Sequence, residues 1–563
     1  MKLRSSYAMS ILLLVALLLG VMGCGTPAPA PATQVPGEPT ATQPSAPAET
    51  PTSPPAPAEK PVIVIAHESD ISHINPEEAK SRAGYDAVDN LYEPVIMQVI
   101  QPEPGQEGVF RGIDEWECGM CDEMTVDEEN NTIRFHIPDG LKFANGNPIT
   151  AHSFKAVYQL LYEMPTAYTR SLMPFVGLES YEDIIVEDDN TLEFRLAQMT
   201  PLSLDTIAFK IVGAVDQATI EEHATADDPT AAEWLRTNAN PSGPYVITEW
   251  SPGVQYVFEP NPNYWQGPDF YQNSKVIMRV VPSAEDRELL LRSGDVDLAM
   301  GLPYKDIDDL EADPNVKVYP VRYQRTYYAA MNNNIPPFDN KLLRQALSYA
   351  VPYDTIIEEV FYGYAQQATS PIPKGMPTHT DDFGYEYDLD KARELLAEAG
   401  YADGLDLELA VRMSVPWDVE AATWIQSSFA EIGVNLTINR LVDAEYAEKQ
   451  KAHELPFYIH DWHSWGNDPS YQLSFLMKCG QATNYADYCN ERVDELIETA
   501  AWSIDPEVRE PGMYEAQQII MEDAPWLLLY QPDKIYAVSK DFTGLVLLDT
   551  YNLQFAYMGK TSE

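Results

Sequence analysis

Asp388-Leu389-Asp390-Lys391-Ala392-Arg393-Glu394-Leu395-Leu396-Ala397-Glu398-Ala399-Gly400-Tyr401-Ala402-Asp403-Gly404 runs directly into Leu405-Asp406-Leu407-Glu408-Leu409-Ala410-Val411. In the first part Leu389, Ala392, Leu395, Leu396 and Ala399 recur at helical spacing behind a capping Asp388, and Gly400 is placed to end the helix. The second part is a strand-like run. Two further helices carry the same signals. Asp339 precedes Leu342, Leu343, Ala346, Leu347 and Ala350, and Asn490 precedes Val493, Leu496, Ile497 and Ala500, with Asp339 read as a helix cap. Asn435 to Ile438 is strand-like, and Val62-Ile63-Val64-Ile65 within Pro61 to Ala66 is short and wholly apolar, as a buried strand is. Helices alternating with strands predict α/β lobes with at least partly parallel sheets.

Two further segments, Thr132 to Ile137 and Thr191 to Leu196, alternate apolar and polar residues behind acidic turns, Asp127 to Asn131 and Glu187 to Asn190. Neither turn has the glycine and terminal glutamate of a calcium loop. Both read as hairpin turns. Between them Thr150 caps a helix with Phe154, Val157, Tyr158 and Leu161 on one face.

At the amino terminus Lys2 and Arg4 precede the apolar run Met9 to Gly20, shorter than the ~20 residues of a membrane span. Charge, length and small-residue exit are those of a secretory signal, 1–23. Val21-Met22-Gly23-Cys24 resembles a bacterial lipoprotein box, which implies cleavage before Cys24 and lipid on its thiol. Residues 24–60 are then the lipidated cysteine and a tether of Pro, Ala, Thr, Ser and Glu that has too little apolar surface to fold. At ~3.1 Å per residue it reaches on the order of 100 Å.

The remainder is long enough for two to four lobes. Asp and Glu number 87 against 36 Lys and Arg, a formal charge of −51. Phosphate backbones and anionic lipid surfaces need clustered cations, so nucleic acid is excluded as a partner and membrane contact is left to the lipid anchor. Beyond Cys24 the cysteines are Cys118, Cys121, Cys479 and Cys489. Outside the cytoplasm these read as disulfides, with three connectivities open and proximity favouring Cys118 with Cys121 and Cys479 with Cys489. Glu117, Asp122 and Glu123 oppose a redox thiolate, and the spacing does not suit a four-thiolate zinc site.

Five stretches, taken in order, resemble one family. They are Phe135-His136-Ile137-Pro138-Asp139-Gly140-Leu141-Lys142-Phe143 with Asn145 to Ala151; Pro241-Ser242-Gly243-Pro244-Tyr245 through Asn261-Pro262-Asn263-Tyr264-Trp265; Arg292-Ser293-Gly294-Asp295-Val296-Asp297-Leu298; Pro337-Phe338-Asp339 leading to Arg344-Gln345-Ala346-Leu347-Ser348-Tyr349-Ala350; and Asp388 to Gly404. From about 62 to 560 the chain resembles the family 5 extracytoplasmic solute-binding proteins of ABC importers, the oligopeptide and dipeptide binders. The resemblance implies an α/β, two-lobed, type II periplasmic-binding-protein fold with an extra subdomain in lobe I. It places domain I at 62–106, 240–325 and 535–563, the inserted subdomain at 107–239 and domain II at 326–534. Crossovers fall near Arg325 to Met331 and Tyr530 to Tyr536. The implied partners are a small solute and an ABC permease and ATPase complex; a monomer with no cofactor and no resident metal is expected.

The family's site strand and loop resemble Phe457-Tyr458-Ile459-His460-Asp461-Trp462-His463-Ser464-Trp465-Gly466-Asn467-Asp468-Pro469. Many peptide binders place there a Trp followed three residues later by an Asp that pairs with the peptide's α-ammonium; here Trp462 is followed at that distance by Trp465. Asp461 or Asp468 is left to supply the anion. Trp462 and Trp465 offer flat faces to a sugar ring or apolar side chain, and Trp417, in the loop Ser414 to Asp418, does so too. Trp462, His463, Ser464, Trp465, Trp417 and Asp461 are the candidate ligand contacts. His460 and His463 fall on opposite strand faces and do not share a metal. Oligopeptide is the leading solute class and oligosaccharide the second. The motifs of serine hydrolases, zinc proteases, phosphate loops and dinucleotide folds are missing. Paired glycosidase carboxylates are a three-dimensional matter, and an exported glycoside hydrolase is the remaining enzyme alternative to a binder without turnover.

Overall fold

The computed structural model describes residues 59–167 and 169–561; the signal, Cys24 and most of the tether lie outside them. Two large sheets dominate. The first has seven strands in the order Val316–Val321, Lys534–Ser539, Leu298–Ala299, Val62–His67, Lys275–Val280, Gln255–Pro260, Tyr245–Ser251. Its centre is the apolar run read as a strand: Val62–His67 pairs in parallel with neighbours on both sides, with Ile63 and Ile65 fully buried. Burial on both faces is what a central parallel strand requires.

The second sheet has six strands in the order Ala365–Gln367, Trp526–Pro532, Arg325–Met331, Phe457–His463, Leu405–Arg412, Val434–Leu441. Leu405–Arg412 runs parallel to Val434–Leu441 along its whole length, joined by the helix Pro416–Glu431, the crossover a parallel pair needs. Asp388 caps the preceding helix by accepting from the Lys391 N–H at 2.9 Å, and Gly400 takes φ +96° beyond its end, where a left-handed backbone favours glycine.

The chain passes from the first sheet to the second between Val321 and Arg325 and returns between Pro532 and Lys534. An ion pair of 2.9 Å between Arg322 and Asp533 ties these two connections together. A four-stranded antiparallel sheet, Glu123–Asp127, Thr132–His136, Thr191–Arg195, Ile184–Asp188, carries both acidic turns as hairpin loops. Cys118 is bonded to Cys121 and Cys479 to Cys489.

Two local expectations are corrected. The cap of helix Lys341–Tyr349 is Asn340, whose Oδ1 accepts from the Leu342 N–H at 3.0 Å, and Asp339 lies one residue outside. Trp417 is in the first turn of helix Pro416–Glu431 and not in a loop, because Pro416, with its preset φ and missing N–H, suits a first helical position.

Candidate ligand-binding site

Strand Phe457–His463 is hydrogen-bonded on one side to Arg325–Met331 and meets Leu405–Arg412 on the other. Period two sorts its side chains. Phe457 and Ile459 enter one core of the second sheet, while Tyr458 and Trp462 pack into the core on the other face. Trp462 sits 6.1 Å from the Tyr471 ring and 6.2 Å from Phe475. His460 lies edge-on to Tyr328, away from His463, which approaches Tyr323.

Asp461 is committed within the protein. It accepts from Arg325, and its Oδ1 lies 2.6 Å from the Arg412 guanidinium, which also holds Asp418 at 2.8 Å. Burial would push the Asp461 carboxyl up, but Arg325 and Arg412 overrule it and hold it well below the usual carboxylate range. Asp468 is likewise occupied: it caps helix Pro469–Leu476 by accepting from the Ser470 N–H at 2.8 Å and pairs with Arg509.

Where the strand ends, His463, Ser464 and Trp465 line a cavity of about 220 Å³. The opposite wall comes from the first sheet's side: Lys80, Arg82 and Tyr85 near the start of helix Arg82–Leu91, and Thr550 with Asn552 near the carboxyl terminus. Trp465 meets the Tyr85 ring edge-on at 5.6 Å and the Phe209 ring at 6.3 Å. A second cavity of about 620 Å³ shares Arg82, Tyr323 and Arg325 with the first. Its further walls include Trp417, Lys534, Glu68 and Glu420. The structure thus brings four of the candidates, His463, Ser464, Trp465 and Trp417, to two adjoining cavities. Trp462 and Asp461 are not in their walls.

The smaller cavity is cationic in a chain of net charge −51. Lys80, Arg82 and Arg325 line it and no carboxylate does. Arg82 stands 3.5 Å from the buried Asp86 and donates to the Tyr551 carbonyl. Lys534 donates to that carbonyl at 3.0 Å and lies over the Tyr323 ring. Burial, and then the charge of Arg82, push its ammonium well below the ordinary lysine value. Burial and Arg325 likewise lower His463 to about 3, leaving its imidazole neutral. Such a pocket suits an anionic or acceptor-rich group beside an aromatic face. Arg82, Tyr323, Arg325 and Lys534 escape sequence reasoning because they come from separated segments that only the fold assembles.

Comparison with known proteins agrees with this architecture. The chain is 25% identical over 496 residues, 86% of its length and 92% of the relative's, to the probable D,D-dipeptide-binding periplasmic protein DdpA of Escherichia coli (strain K12). It is 24% identical over 505 residues, 88% and 93% of the two chains, to the glutathione-binding protein GsiB of the same strain. The crystal structure of the ABC transporter substrate-binding protein CtaP from Listeria monocytogenes superimposes with a TM-score of 0.77 at 21% identity, covering 90% of this chain and 100% of that one. Residues 115–484 match the model of the bacterial extracellular solute-binding proteins, family 5 Middle. With that match over most of its length and a mixed α/β, type II binding-protein fold, the chain belongs to the family 5 solute-binding proteins of ABC importers.

Proposed function

We propose that this protein captures a short peptide-like solute between two lobes and hands it unchanged to a membrane permease. The lobes are those centred on the seven- and six-stranded sheets: domain I at 62–106, 240–325 and 535–563, domain II at 326–534, with 107–239 inserted into the first. The protein works as a monomer outside the cytoplasm, moored by lipid on Cys24 through the 24–60 tether. The relatives DdpA and GsiB, named for a dipeptide and for glutathione, support a peptide-like solute. The observation that carries the reading is the cationic cavity: Arg82 and Arg325, one from each sheet's side, face the same space beside Trp465. A solute carboxylate bound there draws the two sides together, because it binds the closed form better than the open one. A neutral oligosaccharide would find the Trp465 and Trp417 faces but bring no charge of its own to the cationic wall of Lys80, Arg82 and Arg325.

Mass spectrometry of the solute that co-purifies with the protein, followed by thermal shifts with short peptides and their carboxy-amides, tests this. Free-acid peptides are expected to raise the melting temperature and the amides to do so much less. Equal shifts from acid and amide, or stabilisation by neutral sugars alone, would remove the peptide assignment.

A further inference from the structure

A second, much smaller recess lies against the cationic cavity and has the opposite character. Its volume is about 20 Å³, room for a single water-sized group. Asp89, Asp205 and Asp549 line it together with Gln98, Phe209 and Thr550. Thr550 also lines the cationic cavity, and Trp465, in that cavity's wall, abuts Phe209. The two spaces are therefore neighbours across one threonine and one indole.

The acids here are poorly compensated. Asp205 is 5% exposed; its carboxyl accepts from the Asn467 backbone, and its Oδ2 has no hydrogen-bond partner. Asp549 accepts from Gln98, and Asp89 accepts from the Thr550 hydroxyl at 3.3 Å and the Gln554 amide at 3.4 Å. Nearby cations are spoken for: Lys210, also in the wall, binds Glu93 at 2.7 Å, and Arg111 binds Glu103 at 2.7 Å. On the remaining side Asp114 accepts from Asn467 at 3.1 Å and Asp468 holds Arg509, so no further positive charge arrives from the second sheet's loop. Burial accordingly raises Asp89 to about 6 and Asp549 to about 7, and raises Asp205 well above the usual value, with Asp549 and Asp114 adding repulsion. Three crowded, buried carboxyls, one with an unpartnered oxygen, are costly to ionise together, and a positive group brought among them offsets that cost.

We infer that this recess receives a primary ammonium of the solute, so that the bound molecule presents its anionic end to Arg82 and Arg325 and its amine to Asp89, Asp205 and Asp549. The inference rests on the peptide-like reading and deepens it. It assigns the ammonium partner to the first sheet's side of the cleft, because Asp461 and Asp468 are consumed by arginines. The –NH3+ head of a primary ammonium is of that size and offers three N–H donors to the carboxylates.

The test uses the full chain, stripped of bound solute, and a set of synthetic di- to pentapeptides alongside the same set N-acetylated. Peptides retained after gel filtration are identified by mass spectrometry. The wild type is expected to retain free-amine peptides about tenfold or more over their acetylated forms, a charge-pair difference of about 1.4 kcal/mol. The variant Asp205→Asn with Asp549→Asn should lose that preference while its melting temperature is kept, and Asp205→Asn alone should weaken it. Equal retention of acetylated peptides by the wild type, or a preference that survives in the double variant, would overturn the ammonium recess and leave the peptide reading standing. Retention of neither set would sink the peptide reading instead; the recess is then decided by the co-purified solute, supported if it carries a primary amine and refuted if it does not.

Discussion

Trp465 and Gly466 pack directly against Tyr85, Phe209, Leu202 and Asp205. A side chain at Gly466 would place its Cβ 1.9 Å from Asp205 Oδ2 and 2.6 Å from Leu202 Cδ2, so the loop reaches the opposite wall only because the position lacks one. Trp465 is thereby held against Tyr85 and Phe209 with part of its indole in the cavity wall. Trp465→Ala should weaken solute binding by about 1–3 kcal/mol, the usual range for an aromatic anchor. Calorimetry against the co-purified solute, paired with a melting curve, reads this. Unchanged affinity with a large loss of stability would make the residue a packing group only.

At the scale of the element, strand Phe457–His463 is central to a run of alternating charge, Arg325, Asp461, Arg412, Asp418, across three adjacent strands and the helix Pro416–Glu431. Asp461, with its pKa depressed in the folded protein, contributes stability above the unfolded value of ~4 that is lost as pH falls further. His460, beside it in sequence, is lowered to about 4 chiefly by burial. The unfolded imidazole takes up its proton near ~6.5 while the folded one does not until about 4, so stability falls as pH drops through that window. Between pH 6.5 and 4 His460 and His463 thus pull the melting temperature down, while the raised Asp89 and Asp549 carboxyls pull it up. His460→Gln should therefore shift the slope over that window towards greater stability at low pH than the wild type shows, and leave the Asp461 contribution below pH 4 in place. An unchanged slope in the variant would show that the histidine is not the titrating group.

For the whole molecule, the two passages between sheets, at 322–324 and at Asp533, are the segments through which a closing motion would turn, and the Arg322–Asp533 pair spans them. The proposed tether belongs to the same scale. Under the proposed lipidation, Cys24→Ala should move the protein from the membrane fraction to the soluble extracytoplasmic fraction without changing solute affinity, since Cys24 is not among the described residues that line the cavities. Fractionation and blotting check it, and continued sedimentation with membranes would exclude lipid on that cysteine as the mooring.

Much of this protein was determined by sequence alone, because the signals are local. Helix periodicity behind Asp388 and Asn490, period-two strands at Thr132 and Thr191, the buried run at Val62 and the ordered motifs identify an α/β binding-protein fold without reference to any long-range contact. The candidate site strand was picked out by the family resemblance, and His463, Ser464, Trp465 and Trp417 line the two cavities. Charge pairing was not legible. Whether Asp461 faces a ligand or an arginine depends on Arg325 and Arg412, residues brought alongside only when Arg325–Met331 and Leu405–Arg412 flank the same strand. The cationic cavity and the acidic recess are likewise gathered from segments as distant as Arg82, Asp205, Arg325 and Asp549. Electrostatic character at a site depends on separations of a few ångströms in a desolvated space, and only the tertiary structure sets those.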